Sequence, residues 1–237
     1  MIIQKGNFFR FVFKNKFIFL NLSLIILIFC AVFARVNGEK EYNSEVYLPV
    51  QKIETESNVY SLTINLSGGE SEKDVKLLSQ VLKGFKTKAT FFTSTEWLEK
   101  NSALVEKIQN DGHYFGLIID NGRSSMSRDE TMYFLASEND RFFHVTSYYP
   151  SFVRIENDKS GKIPELLNAF GQKYVSSSIT LSASNTEIKA GDIVSVVKVD
   201  SETPYYVAEF VGKCSNSNYV PLSLENLFQS SQKNALS

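Results

Sequence analysis

Between Phe17 and Ala34 the chain carries no charged side chain. The run reads FIFLNLSLIILIFCAVFA and lacks the polar face that a helix in water would need. As a helix rising ~1.5 Å per residue it would extend roughly 27 Å, close to the hydrocarbon thickness of a bilayer. Lys5, Arg10, Lys14 and Lys16 precede it, whereas Arg35 and Lys40 behind it are mixed with Glu39 and Glu41. The positive-inside rule then sets the amino terminus in the cytoplasm and the rest of the chain outside the cell membrane. A cleaved signal peptide, cut after Val32-Phe33-Ala34, is the alternative; the long basic region and long apolar run favour an uncleaved anchor. The expected organisation is a cytoplasmic basic segment (1–16), a single-pass transmembrane anchor (17–34), a polar stalk (35–57), an α/β domain (58–229) and a loose tail (230–237).

A hydrophobic fraction of 43% with 13% aromatics is enough to build a sizeable core. The net charge of −1 speaks against a nucleic-acid partner, which calls for a clearly basic surface. Cys30 falls in the apolar run, so Cys214 stands alone in the exported part and no disulfide can form there. The two histidines, His113 and His144, are far apart, and no Cys/His cluster has metal-ligand spacing.

From Asn58 onward, strand and helix patterns alternate. Val59 to Leu66 is rich in β-formers and ends at Ser67-Gly68-Gly69, a turn. A helix is expected over 70–83, a buried strand over 88–93, a helix capped by Ser94 or Thr95 running to Asn110, and a strand over 114–119. Ser127 with Glu130 three residues on forms a capping box for a helix to Asn139. Further strands are expected over 141–146, from Tyr174 and over 191–199. Helices follow over 164–170, from Thr203-Pro204, and over 222–228 after a short strand at 219–220. Repeated βα units imply a parallel sheet, open or closed into a barrel.

Several of these segments, in order and spacing, resemble the polysaccharide deacetylase family (the NodB-homology domain), and most of all its sporulation-associated branch. Thr63-Ile64-Asn65-Leu66-Ser67-Gly68-Gly69 stands where that family's first strand ends in Thr-Phe-Asp and a glycine turn. Lys88 to Phe92 (KATFF), Trp97 to Asn101 (WLEKN) and Gly112-His113 match successive family segments, as do Ala190 to Val194 (AGDIV) and Tyr219 to Ser223 (YVPLS). The resemblance implies a distorted (β/α) barrel that acts on N-acetylated glycans such as peptidoglycan. It also implies metal-assisted amide hydrolysis, in which a divalent ion such as Zn²⁺ activates water, an Asp acts as base and a His as acid.

Carried over position by position, that machinery is missing. The base falls on Asn65, whose amide cannot accept a proton at neutral pH, and the neighbouring metal-binding Asp falls on Leu66. The paired His positions hold Ile118 and Gly122, the acid His falls near Val197, and a later Asp near Leu181. Of the third motif only Arg154 remains, close to Glu156. The expectation is therefore a domain with no catalytic residue and no metal ligands, hence no cofactor, leaving Asn65, Asp120 and Arg154 as polar cleft candidates. The implied role is glycan binding or scaffolding at the cell envelope or in spore formation. The alternative is an active deacetylase with a site rebuilt from Asn65, Asp120 and His113 or His144. His113 is read as a hydrogen-bonded scaffold residue, and Trp97 as core rather than a sugar platform.

Overall fold

Strand β1, Val59–Leu66, sets the two faces of the domain. Its alternation sends Tyr60, Leu62, Ile64 and Leu66 into the larger hydrophobic core, which lies under the helices. Ser61, Thr63 and Asn65 face the opposite, concave side. Each large apolar side chain buried in that core contributes about 1.5–3 kcal/mol. The computed structural model describes residues 47–120, 126–156, 162–182 and 187–234. The basic segment, the expected span 17–34 and the stalk as far as residue 46 lie outside them. Among the described residues no helix is long and apolar enough to cross a membrane.

Seven further strands join β1: β2 Ala89–Thr93, β3 Tyr114–Asp120, β4 Phe152–Glu156, β5 Lys173–Tyr174, β6 Ile179–Thr180, β7 Ile193–Val196 and β8 Val220–Leu222. They run in the order β5-β4-β3-β2-β1-β7-β6, with β8 beside the first half of β1, and every pairing between named strands is parallel. The helices are α1 Glu72–Gly84, α2 Thr95–Lys100, α3 Ser102–Asn110, α4 Arg128–Thr146, α5 Lys162–Leu167, α6 Thr203–Asn216 and α7 Leu224–Asn234.

The sheet is curled. Val50 N–H donates to the Tyr174 carbonyl and the Val50 carbonyl accepts from Ser176, while Ile53 N–H donates to the Gly191 carbonyl, each at 2.9 Å. Three residues of extended chain reach at most ~10 Å, whereas a flat sheet would hold β5 and β7 roughly 24 Å apart. The segment 50–53, within the range expected to be a stalk, is therefore a strap joining the two margins of a half-barrel. The concave side is filled by a second apolar cluster of Ile53, Phe92, Phe152, Val175, Ile193, Leu224 and Leu227, the last two from α7.

Three expectations need correction. Residues 141–146 are the last turns of α4, not a strand, because the helix begun at the Ser127 capping box runs on until Ser147 adopts φ 65°. Phe142 is part of its buried face, and the strand that follows is β4. The helix expected over 95–110 is broken at Asn101, whose side-chain amide donates to the Trp97 carbonyl (2.8 Å) and competes with helical pairing. The carboxy-terminal helix extends past Gln229 to Asn234.

The strap depends on Gly191. Its φ of +80° is disfavoured for other residues, and a Cβ there would lie 1.7 Å from the Ile53 carbonyl oxygen. Gly191→Ala is expected to cost roughly 2–4 kcal/mol and to lower Tm by about 4–16 °C in a thermal melt. An unchanged Tm would mean that the strap does not hold the half-barrel together.

Candidate functional site

Because the strands are parallel, their carboxyl ends gather at one mouth, the end at which open and closed α/β sheets bind ligands. Leu66, Thr93, Asp120, Glu156 and Val196 close the five longest strands there. On the concave side, just below the rim, lies Arg154, only 7% exposed. One terminal nitrogen donates to Asn65 Oδ1 and, at 3.0 Å, to Ser195 Oγ; the other donates to Thr63 Oγ1 at 2.7 Å. Thr63 donates its own hydroxyl hydrogen bond to the Val194 carbonyl (2.9 Å), which leaves its oxygen as an acceptor for the guanidinium. The Phe92 ring lies 4.3 Å from the guanidinium carbon, a cation–π contact.

This cation is held by neutral groups. Its Nε is buried without a hydrogen-bond partner. Burial lowers its pKa to about 10, against the pull of the nearby Glu156 carboxylate in the other direction, so it remains charged at neutral pH. Phe92 can lie beneath it only because position 116 of β3 has no side chain: a Cβ on Gly116 would come within 2.4 Å of the ring. Gly116, Phe92 and Arg154 thus form one stack across β3, β2 and β4.

Asn65 and Arg154, two of the polar cleft candidates, meet directly. Asp120, the third, is exposed at the rim, in register with Glu156. Leu66 points the other way, into the core under the helices, as does Leu181. Ile118 is half-buried against the cluster around Phe92, and Val197 is 52% exposed just beyond β7. Gly122 lies outside the described residues. Trp97 belongs to the helix-side core.

His113 is also on the helix side. Its Nδ1 accepts from Ala89 N–H (3.3 Å), which leaves Nε2 as the donor to the Ser79 carbonyl (3.0 Å), tying β2 to α1. Its ring packs edge-on against Phe91 at 5.5 Å. His144 is exposed in the last turn of α4. His113 thus sits on the helix side of the sheet, away from the concave side that Asn65 faces.

The donor set does not fit a divalent ion. Asn65 offers an amide oxygen that is already engaged, Thr63 and Ser195 offer neutral hydroxyls, and a fixed cation stands among them. A divalent ion ~4 Å from that guanidinium would be opposed by roughly 8 kcal/mol at an effective dielectric of ~20. Among the described residues no group of three or more His, Cys, Asp or Glu could hold a metal. Thr63 and Ser195 carry no motif of their own in the sequence. The signal available was the polar alternation Ser61, Thr63, Asn65 within an otherwise apolar strand.

Residues 52–117 match the family model for polysaccharide deacetylase. No curated protein sequence matches the chain. Among solved structures, a family 4 carbohydrate esterase from Bacillus anthracis superposes with a TM-score of 0.67 at 19% identity, over 77% of this chain and 87% of that one. A family 4 pseudoenzyme from Bacillus anthracis, BA3943, gives 0.66 at 17% identity, over 77% and 69%. PdaA of Bacillus subtilis, a family 4 carbohydrate esterase, gives 0.64 at 15% identity, over 77% and 85%. The chain therefore carries a domain with the polysaccharide deacetylase, or family 4 carbohydrate esterase, fold, which proteins described as esterases and one described as a pseudoenzyme share.

Two expectations follow. Asn65→Asp would give the buried guanidinium a charged partner and is expected to raise stability at pH 7 by about 1–3 kcal/mol in chemical denaturation; a loss of stability would contradict the arrangement described for Arg154. The second concerns His113, whose pKa burial lowers. A depressed folded-state pKa contributes stability that is present above the unfolded value of about 6.5 and is lost as pH falls through the folded value. Denaturation midpoints should therefore fall on acidification below pH ~6.5, and less steeply in His113→Gln. Equal slopes in the two proteins would remove His113 as the cause.

Proposed function

We propose that this is an exported, membrane-anchored glycan-binding protein built on a polysaccharide deacetylase scaffold, with no amide-hydrolysing activity. The observation that carries the reading is Arg154. Its guanidinium lies just below the rim of the half-barrel and donates to Asn65, Thr63 and Ser195, where hydrolysis would require a base and a metal ion. The family-model match supports a glycan as the class of partner. The fold neighbours include a pseudoenzyme, and a mutant of it has restored enzymatic activity, so this scaffold persists without its chemistry in at least one other protein. Membrane attachment follows from the uncharged run 17–34 and its basic flank, and a role in the envelope or in spore formation follows from the family resemblance.

The full-length chain, supplied with Zn²⁺ or Co²⁺ and N-acetylglucosamine oligomers, is expected to release no acetate above a blank and to retain the oligomers in a binding assay. Acetate release accompanied by stoichiometric metal uptake would overturn the reading in favour of an active deacetylase.

A further inference from the structure

The mouth is not the only concave feature of the domain. At the opposite, amino-terminal ends of the strands there is a cleft of about 260 Å³, lined by residues that include Tyr114, Tyr148, Ser151, Ser223, Glu225 and Asn226. Tyr114 begins β3 and is 41% exposed. Ser223 immediately precedes α7, whose first turn supplies Glu225 and Asn226. The lining therefore combines aromatic rings with hydroxyls, a carboxylate and an amide, the groups that can pair with a ring bearing apolar C–H faces and a rim of hydroxyls.

Charge narrows the class of ligand. Glu225 lines the cleft, and the Lys88 ammonium stands 5.9 Å from the centre of the Tyr114 ring, so groups of both signs attend the site. A neutral ligand suits this balance better than an anionic or cationic one. The loop that supplies Tyr148 and Ser151 also carries Tyr149, stacked on Phe143 of α4 with ring centres 4.8 Å apart, both exposed. None of these side chains belongs to the Arg154 site.

We infer that the cleft beside Tyr114 is a binding site for a neutral pyranose glycan, separate from the mouth of the half-barrel. This inference rests on the glycan-binding reading above and gives it a location. In the intact protein, N-acetylglucosamine oligomers bind at the amino-terminal end of the sheet, with a sugar ring against Tyr114 and its hydroxyls paired with Glu225 and Asn226.

The test is calorimetric titration of the full-length chain with N-acetylglucosamine oligomers, using wild type, Tyr114→Ala, Glu225→Ala and, at the mouth, Glu156→Gln. Tyr114→Ala and Glu225→Ala are each expected to weaken binding roughly tenfold without changing the melting curve, since both side chains are exposed. Glu156→Gln is expected to bind as wild type does. If the oligomers bind and the cleft variants match wild type, the site is elsewhere and the glycan reading survives alone. If wild type binds no oligomer, the glycan reading falls and this site falls with it.

Discussion

A guanidinium taken out of water has to be solvated by the protein, and in this domain the solvation comes from neutral groups on three strands. Arg154 reaches from β4 to Thr63 and Asn65 on β1 and to Ser195 on β7. Phe92 of β2 supports it from below, over the open space at Gly116 of β3. Five neighbouring strands are thus committed to one side chain. Hydrogen bonds to a charged donor are worth more than neutral ones, and removing any acceptor would leave part of a buried charge unpaired. The arrangement fixes the charge of the mouth as well as its shape.

Those constraints separate the two faces of the sheet. On the helix side, Tyr60, Leu62, Ile64 and Leu66 pack with the buried stripes of α1, α3 and α6, and His113 stitches α1 to β2. On the concave side, space is limited by the curl that the 50–53 strap imposes and by Leu224 and Leu227 of α7. Phe92 spans the middle of that cavity, leaving polar groups for its upper rim and an aromatic-lined cleft at its lower end.

Much of this was legible in the sequence. The βα alternation, the parallel sheet and the Ser127 capping box all follow from local patterns, because periodicity and capping are local physics, whereas the scaffold role of His113 came from the family resemblance of Gly112-His113. Position-by-position carry-over also placed Asn65 and Arg154 at one site. What local pattern could not reveal was the partner set: Thr63 and Ser195 lie 91 and 41 residues from Arg154 and become its ligands only through strand register. The run 141–146 looked like a strand because Phe142, Phe143 and Val145 are β-formers. The capping box upstream and the burial of Phe142 against the sheet outweigh that propensity. The strap was hidden for the same reason, since its hydrogen bonds run to Tyr174, Ser176 and Gly191, all far along the chain.

The most direct test of the central claim is a crystal of the protein soaked in Zn²⁺ and measured at the zinc absorption edge. The account predicts no anomalous peak within coordination distance of Asn65, with the Arg154 guanidinium seated among Asn65, Thr63 and Ser195. A zinc peak at the mouth, with the guanidinium displaced from Asn65, would contradict it.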